Sequence, residues 1–108
     1  MAISYKVLGQ ANPAATTLTT LYTVPSATQA ICSTLAVANL GVSTTFRVAV
    51  RPAGAAIANQ HYVAYDIAVN QYDTITMTLG ITLAATDVVS VYAGTATVAF
   101  NLFGNEIV

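Results

Sequence analysis

The chain has 108 residues, of which 56% are apolar and only 6% are charged, and its formal net charge is −1. A chain of this length forms one domain with a substantial core, whereas three cationic side chains (Lys6, Arg47 and Arg51) are too few for a surface that follows nucleic-acid phosphates. Because charged residues usually make up about a quarter of a globular chain, we infer that much of this surface lies against other protein.

The first residues lack the basic region and apolar run of a signal peptide, so we expect synthesis in the cytoplasm. The uncharged span 7–46 is interrupted by Pro13, Pro25 and repeated Thr before it reaches roughly 18 apolar residues, so no transmembrane helix or membrane partner is predicted. The single cysteine, Cys32, excludes an internal disulfide and is interpreted as a small buried hydrophobe rather than a nucleophile.

Short segments rich in Thr, Val, Ile and Tyr alternate with turn signals about every ten residues, which is typical of strands. The predicted strands cover residues 4–8, 18–24, 31–38, 44–51, 61–69, 74–79, 88–93 and 96–103. Residues 1–17 are predicted to be a strand and a loop, with a turn at Asn12-Pro13, and this segment either packs on its own subunit or reaches a neighbour as an arm.

Residues 31–51 are predicted to form a β-hairpin whose apolar face organises the fold. The turn at 39–43 supplies the Asn and Gly that hairpin turns favour. Since side chains alternate between the faces of a strand, Arg47 and Arg51 share the polar face of the second arm, and Cys32 lies opposite the apolar residues of the first. The apolar residues of the two arms are Ile31, Leu35 and Val37, and Phe46, Val48 and Val50.

The later strands show the same alternation. In 61–69, one face is expected to carry Val63, Tyr65 and Ile67, and the other Tyr62, Ala64 and Asp66. In 74–79, the inward residues are expected to be Ile75, Met77 and Leu79, with a bulge or bend at Gly80. Together the strands predict an all-β, single-domain antiparallel β-sandwich of about eight strands, with a jelly roll preferred to an immunoglobulin-like topology.

The polar residues carry no catalytic or metal-binding signature. His61 is the only histidine, and we interpret it as a hydrogen-bonded surface or interface imidazole. The acidic residues do not follow a calcium-loop pattern, and no His/Cys cluster has zinc spacing. We therefore expect no catalytic residue, no cofactor and no bound metal, and predict that the protein is not an enzyme.

Arg47 and Arg51 lie about 13 Å apart on one strand face. Either this face is solvated, or the arginines make intersubunit contacts with carboxylates such as Asp66 or Glu106. The small residues of 52–56 allow close approach of backbone, either to a neighbouring chain or to the protein's own sheet. The six tyrosines suit contact surfaces that are partly apolar and partly hydrated. The alternative is a platform on which sugars stack, although such platforms usually include Trp and the chain has none.

Several segments together resemble small virion structural proteins of tailed bacteriophages, especially cyanophage-like ones. The segments that carry the resemblance are TTLYTVPSATQA, FRVAVRPAGAAIANQHYVAYD, TLGITLAATDVVSVYAG and FNLFGNEI. They extend from about Val7 to Ile107, and the block around Arg51-Pro52-Ala53-Gly54 and His61-Tyr62 is the most distinctive.

The resemblance implies a capsid decoration (cement) protein. Such a protein would bind as a homotrimer to the outside of a phage head, where it clamps neighbouring major capsid subunits, and it would be localised to the virion. A tail or baseplate component and a carbohydrate-binding or adhesion module are the alternatives. On the cement interpretation, the candidate interface residues are Arg47, Arg51, Pro52, Ala53, Gly54, His61 and Tyr62.

Overall fold

The computed structural model describes residues 2–108 and contains eight β-strands and two short 3₁₀ turns. The strands are β1 (Ile3–Ala11), β2 (Thr19–Thr23), β3 (Gln29–Asn39), β4 (Thr44–Arg51), β5 (Tyr62–Val69), β6 (Thr74–Leu83), β7 (Val88–Ala93) and β8 (Val98–Ile107). The 3₁₀ turns, Pro52–Gly54 and Asn59–His61, both lie in the connection between β4 and β5.

The strands form two four-stranded antiparallel sheets that pack face to face. Sheet I has the order β1-β8-β3-β6, and sheet II has the order β2-β7-β4-β5. The first strand pairs with the eighth, the second with the seventh, the third with the sixth and the fourth with the fifth, and this nested pairing in two sheets is that of a jelly roll. The predicted antiparallel β-sandwich is thus confirmed, in the preferred topology.

The predicted hairpin at 31–51 is wrong, because β3 and β4 belong to different sheets. The turn carries the chain across the sandwich and is anchored by the buried Asn39. The Nδ2 of Asn39 donates hydrogen bonds to the carbonyls of Val42 (2.7 Å) and Val69 (3.2 Å), and its Oδ1 accepts one from the Gly41 N–H (3.0 Å). A short Asn/Gly turn can join two strands of one sheet or two strands of facing sheets. Both arrangements bury the same apolar faces, so the sequence pattern does not distinguish them.

A bulge in β3 changes which residues face the core. Leu35 and Val37 are fully buried as predicted, but the pairing of β3 with both neighbours shifts register between Cys32 and Thr34. Ahead of this shift Ala30 and Cys32 point inward, so the placement of Ile31 on the buried face is wrong. Cys32 is 0% exposed, which confirms the interpretation of a buried hydrophobe, and burial raises the pKa of its thiol to about 11.

The two sheets meet in a continuous apolar core. Phe46 of sheet II and Phe100 of sheet I pack edge to face at its centre, with ring centroids 6.0 Å apart. The alternation predicted for β6 is confirmed, since Ile75, Met77 and Leu79 pack against this core. The predicted bulge is also present, because Gly80 has a φ of 62° and lies where the β3–β6 register shifts.

β1 is longer than predicted and pairs with β8 of the same chain. The pairing extends from Ile3 opposite Ile107 to Ala11 opposite Phe100. After β1, the Nδ2 of Asn12 donates a hydrogen bond to the Val98 carbonyl (2.8 Å). The described N-terminal segment therefore packs on its own subunit.

A buried carboxylate joins β1, β8 and β2 at one side of the sandwich. Glu106 is only 8% exposed; its Oε1 lies 2.6 Å from the Lys6 Nζ, and its Oε2 accepts a hydrogen bond from the Tyr22 hydroxyl (2.5 Å). The hydrogen bonds from Lys6 and then from Tyr22 lower the pKa of Glu106. Burial, followed by the hydrogen bond to Glu106, raises the pKa of Tyr22. The three side chains thus link the two sheets.

Candidate functional surfaces

The candidate interface residues lie together on the outer face of sheet II or at its rim. Arg47 and Arg51 are on β4, and Tyr62 begins β5. The other candidates, Pro52–Gly54 and His61, are in the connection between these two paired strands. The structure therefore brings together residues that the sequence could relate only by proximity along the chain.

Arg47 is enclosed by three side chains of its own chain. Its Nε and Nη2 donate hydrogen bonds to the two carboxylate oxygens of Asp66, at 2.6 and 3.3 Å. Its guanidinium carbon lies 4.1 Å from the ring centroid of Tyr65 and 4.3 Å from that of Tyr92, within the range of cation–π attraction. The carboxylate considered as an intersubunit partner thus belongs to the same chain, and its hydrogen bond raises the pKa of Arg47.

A bulge in β5 creates this arrangement. Phe46 pairs with Ile67 and Val48 pairs with Ala64, so Tyr65 and Asp66 both lie opposite Arg47. Asp66 adopts a left-handed φ of 51°, a conformation that Asp tolerates better than most residues. The expected placement of Tyr65 and Asp66 on opposite faces is therefore wrong, because both contact the outward side chain of Arg47.

Arg51 holds the small-residue connection against its own sheet. Its Nε donates a hydrogen bond to the Ser90 Oγ (3.2 Å), and its Nη1 donates to the carbonyls of Ala55 (3.0 Å) and Gly54 (3.4 Å). The Ala53 N–H donates to the Asp87 carboxylate (2.9 Å). Of the two interpretations of residues 52–56, close approach to the protein's own sheet is the one present within the chain.

His61 and Tyr62 have different surroundings. His61 is buried within the chain, so the surface position expected for its imidazole is wrong. The expected hydrogen bond is present, because its Nδ1 accepts one from the Ala58 N–H (3.1 Å) within the 3₁₀ turn. The ring of Tyr62 meets that of Tyr65 at 84°, with centroids 4.9 Å apart. These two rings and Asn59 line a surface depression of about 480 Å³, which we call the tyrosine-lined pocket.

The outer face of sheet I is a second surface, which the sequence did not reveal. Residues that pair directly in an antiparallel sheet share a face, so the register identifies its members. They are Ile3, Tyr5, Val7, Gln10, Gln29, Ile31, Thr34, Ala36, Ala38, Thr74, Thr76, Thr78, Thr82, Ala99, Asn101, Phe103, Asn105 and Ile107. Among these described residues none is charged.

One end of this face, formed by Ile3, Tyr5, Val7, Ile31 and Phe103, is here called the apolar end. Tyr5 is 80% exposed, Ile3 and Val7 are each 46% exposed, and Phe103 is 37% exposed. Most of these side chains line a groove of about 590 Å³ between β1, β8 and β3, and Lys6, whose Nζ is paired with Glu106, lines it as well. The Oδ1 of Asn105, which also lines the groove, is buried and accepts no hydrogen bond from the described residues. The exposed apolar side chains of this end favour contact with another protein surface.

Comparison with known proteins identifies no relative: no family model, no curated protein and no solved structure matches the chain. Within residues 2–108 there is no helix long and apolar enough to cross a membrane. The same residues contain no group of three or more His, Cys, Asp or Glu side chains placed to hold a metal ion.

Proposed function

We propose that this chain is a non-enzymatic structural protein of a virion, a capsid decoration (cement) protein. It would bind as a homotrimer to the outside of a phage head and stabilise the contacts between major capsid subunits. The observation that supports this proposal is the outer face of sheet I, whose outward residues are uncharged and which ends in exposed apolar side chains. The resemblance of the sequence to phage virion proteins supports it independently.

An uncharged sheet face is well suited to permanent burial. Removing charged groups from water costs several kcal/mol each unless they are paired, and the cores of interfaces are depleted of charged residues. The outward residues of sheet I carry no charge, and Lys6 beside the groove is already paired with Glu106. The exposed parts of Tyr5, Val7 and Phe103 add apolar area.

We therefore place the contact between copies at the apolar end of sheet I. The Arg47 and Arg51 side chains already have hydrogen-bond partners within the chain, which makes sheet II the weaker candidate for this contact. In a trimer, each subunit would add a weak capsid contact, and the linked contacts would together give slow dissociation from the head.

The solution mass, measured by light scattering on a sizing column, tests the self-association. The wild-type chain should be a trimer, and Tyr5→Lys should be a monomer because it replaces apolar contact area with a second cation beside Lys6. Tyr72→Lys is the matched control: Tyr72 is 76% exposed in the turn between β5 and β6, outside this face, so the variant should remain a trimer. A wild-type monomer at high concentration, or a trimer of Tyr5→Lys, would contradict the proposed contact.

The capsid role is tested by adding the purified protein to heads that lack it. The wild-type protein should bind the heads and restore their resistance to heat, whereas Tyr5→Lys should restore it poorly because monomers lack the linked contacts. Binding to tail tubes but not to heads would refute the decoration role and favour a tail component instead.

A further inference from the structure

We propose that the tyrosine-lined pocket on sheet II binds a neutral hexopyranose, the unit of many cell-surface polysaccharides. The pocket lies on the sheet opposite the proposed assembly face, so the two proposals can fail independently. It is formed by Asn59, Tyr62 and Tyr65, at the end of the β4–β5 connection and the start of β5.

The shape and chemistry of the pocket match those of a sugar ring. A pyranose has a face of C–H groups, which packs on an aromatic ring, and a rim of hydroxyl groups, which need hydrogen-bond partners. Because the Tyr62 and Tyr65 rings meet at 84°, the corner between them offers aromatic surface on two sides. The Asn59 amide and the phenol hydroxyls supply both donors and acceptors. A volume of about 480 Å³ is within the usual range for small-ligand sites.

The exposed ring of Tyr65 is held in position before any ligand binds. Tyr65 is 54% exposed, yet its ring stacks on the Arg47 guanidinium, which Asp66 fixes through two hydrogen bonds and Tyr92 covers from another side. Bulges such as the one at Tyr65 and Asp66 often re-aim side chains beside functional sites. A fixed aromatic side chain loses little entropy on binding. More of the weak attraction of a single sugar therefore remains as binding free energy.

The charges around the pocket favour a neutral sugar over an acidic one. Arg47 and Asp66 neutralise each other, and the three lining side chains carry no charge near pH 7. The nearest other cation in the sequence, Arg51, donates to Ser90, Gly54 and Ala55. A carboxylate or sulfate of an acidic sugar would therefore lose water without gaining a dedicated cationic partner.

The same geometry argues against a proline-rich peptide, the other common ligand of clustered tyrosines. Such peptides are extended helices that lie along grooves lined by several aromatic residues. Here the two rings are in contact at 4.9 Å and nearly perpendicular, so they form a single corner. One ring-sized unit fits this corner better than an extended segment does.

Saturation-transfer difference NMR on the full chain tests the proposal. The probes are the methyl glycosides of glucose, galactose, mannose and N-acetylglucosamine, with sialic acid and a proline-rich decapeptide as comparison ligands. At least one neutral glycoside should receive saturation at millimolar concentration. No signal from any of the four, or a signal from only the acidic sugar or the peptide, would overturn the proposal.

Three variants then locate the site. Tyr62→Ala and Asn59→Ala should each weaken binding by about tenfold or more, which corresponds to roughly 1.4 kcal/mol. Asn59 is exposed, so its replacement cannot act by unfolding the core. Tyr72→Ala removes an equally accessible tyrosine outside the pocket and should leave binding unchanged. Full binding by both pocket variants, or equal loss in the control, would refute the assignment. Trimer formation by the pocket variants should be unaffected, which separates this test from that of the assembly face.

Discussion

Replacing Glu106 with Gln keeps the shape of the side chain but removes the negative charge that joins Lys6 to Tyr22. Hydrogen bonds to charged groups contribute about 1.5–3 kcal/mol, against about 0.5–1.5 kcal/mol for neutral ones. The Lys6 side chain is 48% exposed, so water screens much of its attraction to Glu106, and the buried bond to Tyr22 accounts for most of the loss. We expect Glu106→Gln to lower the free energy of unfolding at pH 7 by about 1–2 kcal/mol.

The effect should depend on pH in a defined direction. In the folded chain the pKa of Glu106 lies below its ordinary value, so the ionised form stabilises the fold. This stabilisation is fully present above the unfolded pKa of about 4.3 and is lost as the pH falls through the folded pKa. The difference between the wild type and Glu106→Gln should therefore be largest near neutrality and should shrink below about pH 4. The other three acidic residues are common to both proteins, so their titration cancels.

Urea unfolding measures this difference at neutral and acid pH. Tyrosine fluorescence and far-ultraviolet circular dichroism are both suitable probes, since the chain has six tyrosines and no Trp. With a urea dependence of roughly 2 kcal/mol per molar, the midpoint should fall by about 0.5–1 M at pH 7. Equal midpoints at pH 7, or a gap that stays constant into acid, would refute the assigned role of the carboxylate.

Three further predictions concern the core. Because Cys32 is fully buried and its thiol pKa is raised to about 11, it should react with a disulfide reagent at pH 8 only after urea unfolding, and rapid labelling of the native protein would contradict its placement. Gly104→Ala should lower the free energy of unfolding by about 2 kcal/mol or more, because its Cβ would collide with the Ile31 carbonyl oxygen. In the control, Gly80→Ala, the added Cβ meets open space, and the variant should lose only about 1 kcal/mol because of its φ of 62°. Phe100→Ala should lower it by about 3–5 kcal/mol, as measured by the same urea titration, and a loss under 1 kcal/mol would show that the two sheets do not meet at this ring.

The sequence predicted strands well wherever the alternation was regular. In β6 the inward positions of Ile75, Met77 and Leu79 follow directly from the period of two, because one face of a strand is buried and the other is not. Phe46 and Val48 of β4 were placed correctly for the same reason. The all-β class and the number of strands rest on such patterns and on the turn signals between them.

The errors arise where an added residue or a change of sheet leaves no local mark in the sequence. A bulge shifts the alternation by one residue, which reversed the faces of Ile31 and Cys32 and brought Tyr65 and Asp66 onto one side. The crossing between β3 and β4 has the same turn chemistry as a hairpin, so strand pairing could not be inferred from it.

The candidate surfaces were predictable only in part. Asp66 could be suggested as a partner of Arg47 from its charge, but Tyr92 reaches the same site only because β7 lies beside β4. The uncharged face of sheet I gathers residues from four strands that are distant in sequence, so it becomes visible only once the strand order is known.

The nested pairing of the strands also determines when the fold can form during synthesis. β8 is the central partner of both β1 and β3, yet it is synthesised after all seven other strands. Until then β1 has no partner in its sheet, and both neighbours of β8 have open edges. Contacts between residues so far apart in sequence form slowly, on the scale of milliseconds to seconds. During that interval the nascent chain exposes unpaired apolar strands, so its most vulnerable stage, and its greatest need for chaperones, comes just before β8 is inserted.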